Sequence, residues 1–271
     1  MNEPFGDAWG RQILIAACAA TGQRPPEPQT KSVEAATSEP GKPWLTEAPR
    51  YSQGFEELLI REYFADQKGG YFVDVGAGPA LAGSNTAFLE RHLGWQGIGV
   101  DALGHYEDNY LEQRPRTRFI NFVVAESSSP AHPFFHVVAA EGLSSTDEAR
   151  MFEGKPLNSK RVEVPAATLD EILDAAQLTH IDFMSIDVEA SNLSCLKGLN
   201  LRKHRPRLVC METGDPTSQQ RRDIIEHFQA AGFVLVPEFR PYTAPNTWFH
   251  PRPAPLIPNS SKPGSANTSG A

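Results

Sequence analysis

The chain has 271 residues, a formal net charge of −8, 40% hydrophobic residues and 21% charged residues. This length and composition are typical of a soluble globular protein that buries a full core without disulfide bonds. The acidic surplus disfavours a nucleic-acid binder, and no apolar run reaches the roughly 18–20 residues of a membrane span. We therefore expect a small-molecule partner, and neither nucleic acid nor membrane.

The chain divides into one folded unit, residues 51–250, and two extensions. The N-terminal extension, residues 1–50, contains a linker rich in Pro, Glu, Thr and Ser, with a short amphipathic helix predicted over Ile13–Ala20. The C-terminal tail, residues 251–271, is rich in Pro and then in Ser, Gly and Asn. Segments of this kind bury too little apolar surface to offset the entropy lost on ordering, so we expect both extensions to be largely flexible.

Helical and extended patterns alternate along the folded unit. Helices are predicted over Phe55–Asp66, Ser84–Leu93 with Ser84 as N-cap, Tyr106–Arg114, Leu169–Leu178 with a Thr168/Glu171 capping box, Leu193–Leu199 and Gln219–Ala231. Strands are predicted over Tyr71–Val75, Gly97–Val100, Phe119–Val124, Phe134–Val138, Ile181–Ile186, Leu208–Met211, Phe233–Val236 and Asn246–Phe249. This alternation predicts an open, mostly parallel α/β sheet with helices on both faces, whose ligand site lies at the carboxyl ends of the strands.

Cysteines and basic residues add two smaller expectations. The three cysteines, Cys18, Cys195 and Cys210, show no CxxC spacing, which indicates neither a zinc site nor a disulfide framework and favours a reducing, cytoplasmic location. The short basic clusters at residues 202–205 and 221–222 are interpreted as solvated faces.

A glycine-rich turn follows the first predicted strand, in the segment Asp74-Val75-Gly76-Ala77-Gly78. Two glycines around a small residue let the backbone turn sharply and let a ligand approach the main chain. A dinucleotide fingerprint requires a third glycine where this chain has Leu81. Asp74 would repel a pyrophosphate, but it suits the sulfonium and ammonium groups of S-adenosylmethionine (SAM), so the loop favours SAM over NAD.

Asp101 ends the next predicted strand, 23 residues after Gly78, where doubly wound folds place an acid on the ribose hydroxyls. A carboxylate accepts hydrogen bonds from both hydroxyls. The structural alternative is an ordinary turn aspartate. Because Asp101 occurs at this spacing from a glycine loop, we favour the ribose role.

Several motifs together resemble the FkbM-type methyltransferases over roughly residues 51–250. The matching segments are Tyr51-Ser52-Gln53, Tyr71–Ala77, Ser84-Asn85-Thr86, Phe88-Leu89-Glu90, Leu93–Ile98, Thr168-Leu169-Asp170, Ser185–Glu189 and Leu196-Lys197-Gly198. Members of this family are class I SAM-dependent enzymes that typically methylate hydroxyl groups of sugars, polyketides and related metabolites. The resemblance implies a Rossmann-like, mostly parallel seven-stranded sheet and O-methylation of a small hydroxylated acceptor.

The resemblance also implies SAM contacts at Asp74, Gly76, Gly78, Asn85 and Asp101. We extend the expected cofactor set with Ala77, Ser84, Ala102, Ala125 and Asp187. The chain departs from the family pattern at Ala190, where a glycine is usual, at Asn192, where an acid is frequent, at Ala102, which replaces a usual proline, and at Pro79-Ala80. These departures motivate an alternative in which the chain binds SAM with reduced or lost catalysis.

Three carboxylates end strands on the expected ligand side: Asp187, Glu189 and Glu212. An alcohol is a weak nucleophile, so methyl transfer to it requires a base or a metal ion, and these residues are the predicted catalytic set. They are also the predicted ligands if Mg²⁺ is present, because Mg²⁺ prefers hard oxygen ligands. The structural alternative is that Asp187 bonds a loop amide and Glu189 caps the next helix.

The remaining candidates lie in loops. His105 and His136 are weaker base candidates, and residues 127–161, an irregular segment, are predicted to form a lid or substrate loop. An NAD-dependent oxidoreductase on a similar sheet is a third functional alternative.

Overall fold

The computed structural model describes residues 50–128, 134–138 and 159–253. The predicted helix over Ile13–Ala20, most of the N-terminal extension, the tail from residue 254 onward and most of the predicted lid lie outside the described residues. Residues 251–253 fall inside them and extend the folded unit slightly past its predicted end at residue 250.

The strands of the described residues are β1 Tyr71–Val75, β2 Gln96–Asp101, β3 Thr117–Asn121, β4 Val123–Val124, β5 Phe134–Val138, β6 Ser159–Glu163, β7 Ala166–Ala167, β8 Phe183–Ile186, β9 Leu208–Glu212, β10 Phe233–Leu235 and β11 Asn246–Pro251. Seven of them form the main sheet in the order β10-β11-β9-β8-β1-β2-β3. Every neighbouring pair is parallel except the two that involve β11, which runs antiparallel to both β9 and β10. The predicted mostly parallel seven-stranded sheet is confirmed.

Two small sheets stand beside the main one. β4 pairs with β7 in parallel, and β5 pairs with β6 antiparallel. The predicted strand Phe119–Val124 is therefore divided between β3 and β4. The Phe122 N–H still bonds the Asp101 carbonyl oxygen of β2, whereas the Val123 N–H bonds the Pro165 carbonyl oxygen next to β7. The predicted strand over Phe134–Val138 is confirmed.

The helices of the described residues are α1 Glu56–Phe64, α2 Ala87–Leu93, α3 Glu107–Gln113, α4 Leu169–Ala175, α5 Asn192–Lys197, α6 Leu201–His204, α7 Gln219–Ala230 and α8 Arg240–Thr243. Short 3₁₀ turns occupy Gly104–Tyr106, Glu189–Ser191 and Pro237–Phe239. None of these helices is both long enough and apolar enough to cross a bilayer.

Helices cover both faces of the main sheet because successive strand side chains point to opposite sides. Val73 and Val75 belong to a cluster that includes Leu173 of α4 and Phe228 of α7. Phe72, which directly precedes Val73, belongs to a second cluster with α1 and α2. Burial of each such side chain contributes about 1.5–3 kcal/mol, so β1 is fixed from both faces and its carboxyl end is held in place.

Helix starts agree with the predictions in one case and differ in another. Thr168 and Glu171 form the predicted capping box of α4. The predicted N-cap at Ser84 is wrong, because α2 begins only at Ala87. The Ser84 hydroxyl instead accepts the N–H groups of Thr86 and Ala87 and so holds the turn before the helix.

The interpretation of both basic clusters as solvated faces is wrong in part. Arg221 is buried, and its Nη1 donates to the Thr213 and Thr247 hydroxyls. In the other cluster, residues 201–204 form α6, and the His204 side chain is only 3% exposed.

Candidate functional site

A cavity of about 500 Å³ lies at the carboxyl ends of β1, β2, β8 and β9. Parallel strands end at the same edge of the sheet, so residues far apart in sequence meet there. The predicted site residues that line it are Asp74, Gly76, Ala77, Gly78, Ser84, Asn85, Asp101, Ala102, Asp187, Glu189 and Glu212. Its size suits a cofactor together with part of an acceptor.

Ala125 and His105 are predicted site residues that do not line this cavity. The Ala125 N–H donates to the Ala167 carbonyl oxygen, and its own carbonyl lies against Gly198, so its backbone joins β7 to the end of α5. His105 is exposed and its ring contacts Tyr106. The side chain of His136 lies outside the described residues.

The glycine loop, residues 76–83, depends on glycine at Gly76 for two reasons. Its φ is 76°, and a β-carbon there would lie 1.7 Å from the Asp187 carbonyl oxygen. Gly78 also has a positive φ, 56°, but a β-carbon on it would meet no protein atom within 4 Å. Gly76 therefore allows β1 and β8 to approach each other, whereas Gly78 leaves open space for a ligand.

Asp74 lies at the base of the cavity and is only 5% exposed. Its Oδ2 accepts a 2.7 Å hydrogen bond from the Thr86 hydroxyl. Burial raises the pKa of Asp74 to about 6, opposed by the Thr86 hydrogen bond and by the charge of Arg114. At neutral pH the carboxylate is mostly ionised and presents a negative charge to the cavity.

Asp101 and Asn85 are held by the elements around them. The Asp101 carboxylate accepts the N–H groups of Gly78 and Leu103, each at 2.8 Å, so it fixes the glycine loop relative to β2. A carboxylate oxygen can accept more than one hydrogen bond, so these contacts are compatible with hydrogen bonds from ribose hydroxyls. Asn85 donates from Nδ2 to the Ser185 hydroxyl at 3.1 Å, which anchors it across the cavity to β8.

The acid cluster, defined here as Asp187, Glu189 and Glu212, forms another part of the wall. One carboxylate oxygen from each residue lies within 4.8 Å of the other two. Asp187 follows β8, Glu189 begins the next 3₁₀ turn, and Glu212 ends the adjacent β9. The predicted proximity of these three side chains follows from the parallel pairing of β8 and β9.

Two carboxyl groups of the acid cluster, Asp187 and Glu189, have raised pKa values. Surrounding protein atoms and the nearby Glu212 and Glu189 charges raise the pKa of Asp187 to about 8, even though its side chain is solvent-accessible through the cavity. Burial and the Glu212 charge raise the pKa of Glu189 to about 7. Such values occur where like charges share one site.

Neither structural alternative for Asp187 and Glu189 is seen in the described part of the chain, where no backbone N–H donates to the carboxylate of either residue. Asn192 supports the acid cluster instead: its Oδ1 accepts the Val188 N–H at 2.8 Å, and its Nδ2 donates to Glu212 at 3.1 Å. Asn192, at a position where the family frequently has an acid, thus provides a hydrogen-bond donor to Glu212. Glu189 itself has φ 53°, a left-handed conformation that costs a non-glycine residue about 1–2 kcal/mol.

Sequence reasoning missed several residues that shape the cavity. Glu56, at the start of α1, is buried and accepts a hydrogen bond from Asn246 at 2.9 Å, which joins α1 to the start of β11. Arg221, which does not line the cavity itself, binds the hydroxyls of Thr213 and Thr247, the residues that follow Glu212 and Asn246 in the sequence. No sequence motif marks these residues, because the contacts join segments that are distant along the chain.

The sheet order, the antiparallel β11 and the cavity beside a glycine loop define a class I methyltransferase-like fold. Residues 74–235, more than half of the chain, match the family model described as the methyltransferase FkbM domain. The chain belongs to the FkbM methyltransferase family and is a SAM-dependent methyltransferase. This assignment favours SAM over the NAD alternative.

Two solved structures show distant likeness to the chain. A TehB-like SAM-dependent methyltransferase from Corynebacterium glutamicum is 12% identical, with a TM-score of 0.39 over 73% of this chain and 88% of that protein. The CurJ carbon methyltransferase is 12% identical, with a TM-score of 0.38 over 73% of this chain and 53% of that protein. No curated protein sequence matches the chain.

Proposed function

We propose that this protein transfers the methyl group of SAM to a hydroxyl group of a small molecule such as a sugar or secondary metabolite. The observation that carries this proposal is the acid cluster, which lies in the same cavity as the glycine loop. The glycine loop, Asp74, Asn85 and Asp101 would bind SAM, and the acid cluster would face the acceptor.

The chemistry of the acid cluster suits a hydroxyl acceptor. Methyl transfer is an in-line displacement, in which the acceptor oxygen approaches the methyl carbon opposite the sulfur and loses its proton as the bond forms. A base is most effective when its pKa lies near the working pH. The pKa values of Asp187 and Glu189, about 8 and about 7, meet this condition.

Mg²⁺ is the second role considered for the acid cluster. One carboxylate oxygen from each of the three residues lies within 4.8 Å of the other two, and such oxygens are the ligands that Mg²⁺ prefers. The cluster therefore suits the ion in donor chemistry. The proposed reaction assigns proton removal to the carboxylates and no step to the ion.

The test combines binding and turnover. Calorimetry with SAM gives cofactor affinity, and the release of S-adenosylhomocysteine beside a panel of sugars, polyols, phenols and amines gives activity. We expect turnover with hydroxyl acceptors only. We expect Asp187→Asn and Glu212→Gln to lower kcat at least a hundredfold, a typical contribution of a general base, while SAM affinity stays within about threefold.

The matched control is Asp108→Asn on the exposed surface of α3, which makes the same chemical change outside the cavity and should leave both measurements unchanged. SAM binding without turnover on any acceptor would instead support a SAM-binding protein that has lost catalysis. Loss of activity with EDTA, restored by Mg²⁺, would assign the acid cluster to a metal.

The expectation of a cytoplasmic location belongs to this proposal. Cys195 and Cys210 are free, buried thiols, which supports a reducing compartment. Fractionation of cells that express the tagged protein tests this point.

A further inference from the structure

A buried arginine lies behind the wall of the cavity that contains Asp74. Arg114, just after α3, is fully buried and uses all of its N–H groups as donors. Its Nε donates to Glu90 at 2.6 Å, Nη1 to the Ala80 carbonyl and the Ser84 hydroxyl, and Nη2 to the Thr86 and Thr117 hydroxyls. One side chain therefore ties together the glycine loop, the start of α2 and the start of β3.

Thr86 connects this arginine to the cavity. Its hydroxyl oxygen accepts from Arg114 Nη2 at 3.0 Å, and its own proton is donated to Asp74 Oδ2 at 2.7 Å. A hydroxyl that accepts from a cation becomes a stronger donor, so the two bonds reinforce each other. The direction of donation is fixed, since the guanidinium has no acceptor and the ionised carboxylate has no proton to give.

We propose that Thr86, oriented by Arg114, is a positioning residue of the cofactor site and aims the Asp74 carboxylate at the cationic part of SAM. This inference rests on the proposed placement of SAM beside Asp74. It requires no knowledge of the acceptor, because the effect is on cofactor binding.

The electrostatics agree with this geometry. The charged or titratable groups that face Asp74 are Arg114 after α3, Tyr110 on α3, Asp101 at the end of β2, Asp187 after β8 and Cys210 on β9. Of these, only Arg114 is a cation, and with the Thr86 hydroxyl it lowers the pKa of Asp74 against the effect of burial. Removal of the Thr86 hydroxyl therefore leaves less ionised Asp74 near pH 6, but changes little at pH 8.

The experiment measures the SAM dissociation constant of the full chain between pH 5.5 and 8.5 for Thr86→Val, which is isosteric, and Thr86→Ser, which keeps the hydroxyl. We expect Thr86→Val to weaken SAM binding roughly tenfold near pH 6, the effect of one hydrogen bond to a charged group, and clearly less at pH 8. Thr86→Ser should retain wild-type affinity and pH dependence. A purely packing role for Thr86 would instead give a loss that does not depend on pH.

A double-mutant cycle separates the possible failures. In an Asp74→Asn background, Thr86→Val should cause no further loss of SAM affinity, because the two residues act together. Equal losses in both backgrounds, or equal behaviour of the Val and Ser variants, would overturn the inference. Wild-type affinity in Asp74→Asn alone would instead show that SAM does not use Asp74. If Thr86→Val fails to fold, Thr86→Ala takes its place against Thr86→Ser.

Discussion

The two sides of the cavity differ in how their charges are compensated. On the cofactor side, Asp74 receives a hydrogen bond from Thr86, and Arg114 behind it is paired with Glu90. On the acid side, Asp187, Glu189 and Glu212 crowd together, and the Asn192 side chain donates a hydrogen bond to Glu212. Asp74 thus has an oriented hydrogen-bond donor and a nearby cation, whereas the acid side brings three carboxyl groups of like charge together.

This difference indicates a division of labour. A cofactor with fixed shape and charge is bound best by groups that are already oriented, because little ordering is left to occur on binding. A base requires a carboxylate that exchanges a proton near neutral pH, and unrelieved like charge supplies the necessary shift in pKa. The acid side gives up stability for that property, as functional sites frequently do.

The largest expected effect is a difference in stability loss between substitutions of the two buried arginines, Arg114 and Arg221. Arg114→Met leaves the buried Glu90 without its cation and should lower the free energy of unfolding by about 3–5 kcal/mol. Arg221 has no carboxylate partner among the described residues, and the two threonine hydroxyls it binds also bond each other at 2.7 Å. Arg221→Met should therefore cost only about 1 kcal/mol. Urea unfolding measures both, and equal losses would contradict the comparison.

The next prediction concerns the glycine at the junction of the two sides. Gly76→Ala places a β-carbon against the Asp187 carbonyl oxygen and should cost about 3 kcal/mol of unfolding free energy, the sum of left-handed strain and overpacking. Gly78→Ala carries the strain alone, about 1–2 kcal/mol, but its methyl group would project into open space beside the cavity. We expect Gly78→Ala to weaken SAM binding more than its stability loss suggests. Thermal unfolding and calorimetry on both variants check this contrast.

The placement of the glycine loop and Asp101 at one edge of the sheet was largely predictable from the sequence, because its signal is local. Gly76 and Gly78 follow a strand directly, and Asp101 ends the next strand, so spacing alone brings them to one edge of the sheet. The fold class was predictable for a similar reason, because strand and helix patterns alternate regularly along the chain. The first residues of helices were harder to predict, as Ser84 shows. Its hydroxyl can cap a turn or a helix, and the backbone conformation of the next residues decides which.

The supporting residues were not predictable, because their roles arise from contacts between distant segments. Arg114 meets Ala80 and Thr86 across about 30 positions of the chain, and Asn246 meets Glu56 across 190. Arg221 had the pattern of a solvated cation, yet α7 turns it inward onto two threonines. The acid cluster was predictable only in part. Each acid lies at or just after the end of a strand, which the sequence indicates, but the distance between the acids depends on how β8 and β9 pair.

The smallest expected effect is a difference in the pH dependence of stability. A carboxylate whose pKa is raised by folding contributes stability that is fully present below its unfolded pKa, near 4, and is lost as pH rises through its folded pKa. For Asp74 that loss is complete near pH 6, and for Glu189 and Asp187 it extends to about pH 7 and about pH 8. Glu189 and Asp187 should therefore lower the unfolding free energy of the SAM-free protein between pH 6 and 8.5, a range in which Asp74 contributes little further change.

Asp187→Asn tests this assignment. In this variant, the fall in unfolding free energy between pH 6 and 8.5 should be smaller by about 1 kcal/mol than in the wild type. This value is reduced for solvent screening, because Asp187 is open to the cavity. Asp74→Asn should flatten the decline below pH 6 instead, and Asp108→Asn should change neither range. Urea titrations at pH 5, 6, 7 and 8.5 resolve the two windows. An unchanged decline above pH 6 in Asp187→Asn would mean that Asp187 is ionised at the same pH in the folded and unfolded states. Asp187 would then lack the raised pKa that suits it to act as a base.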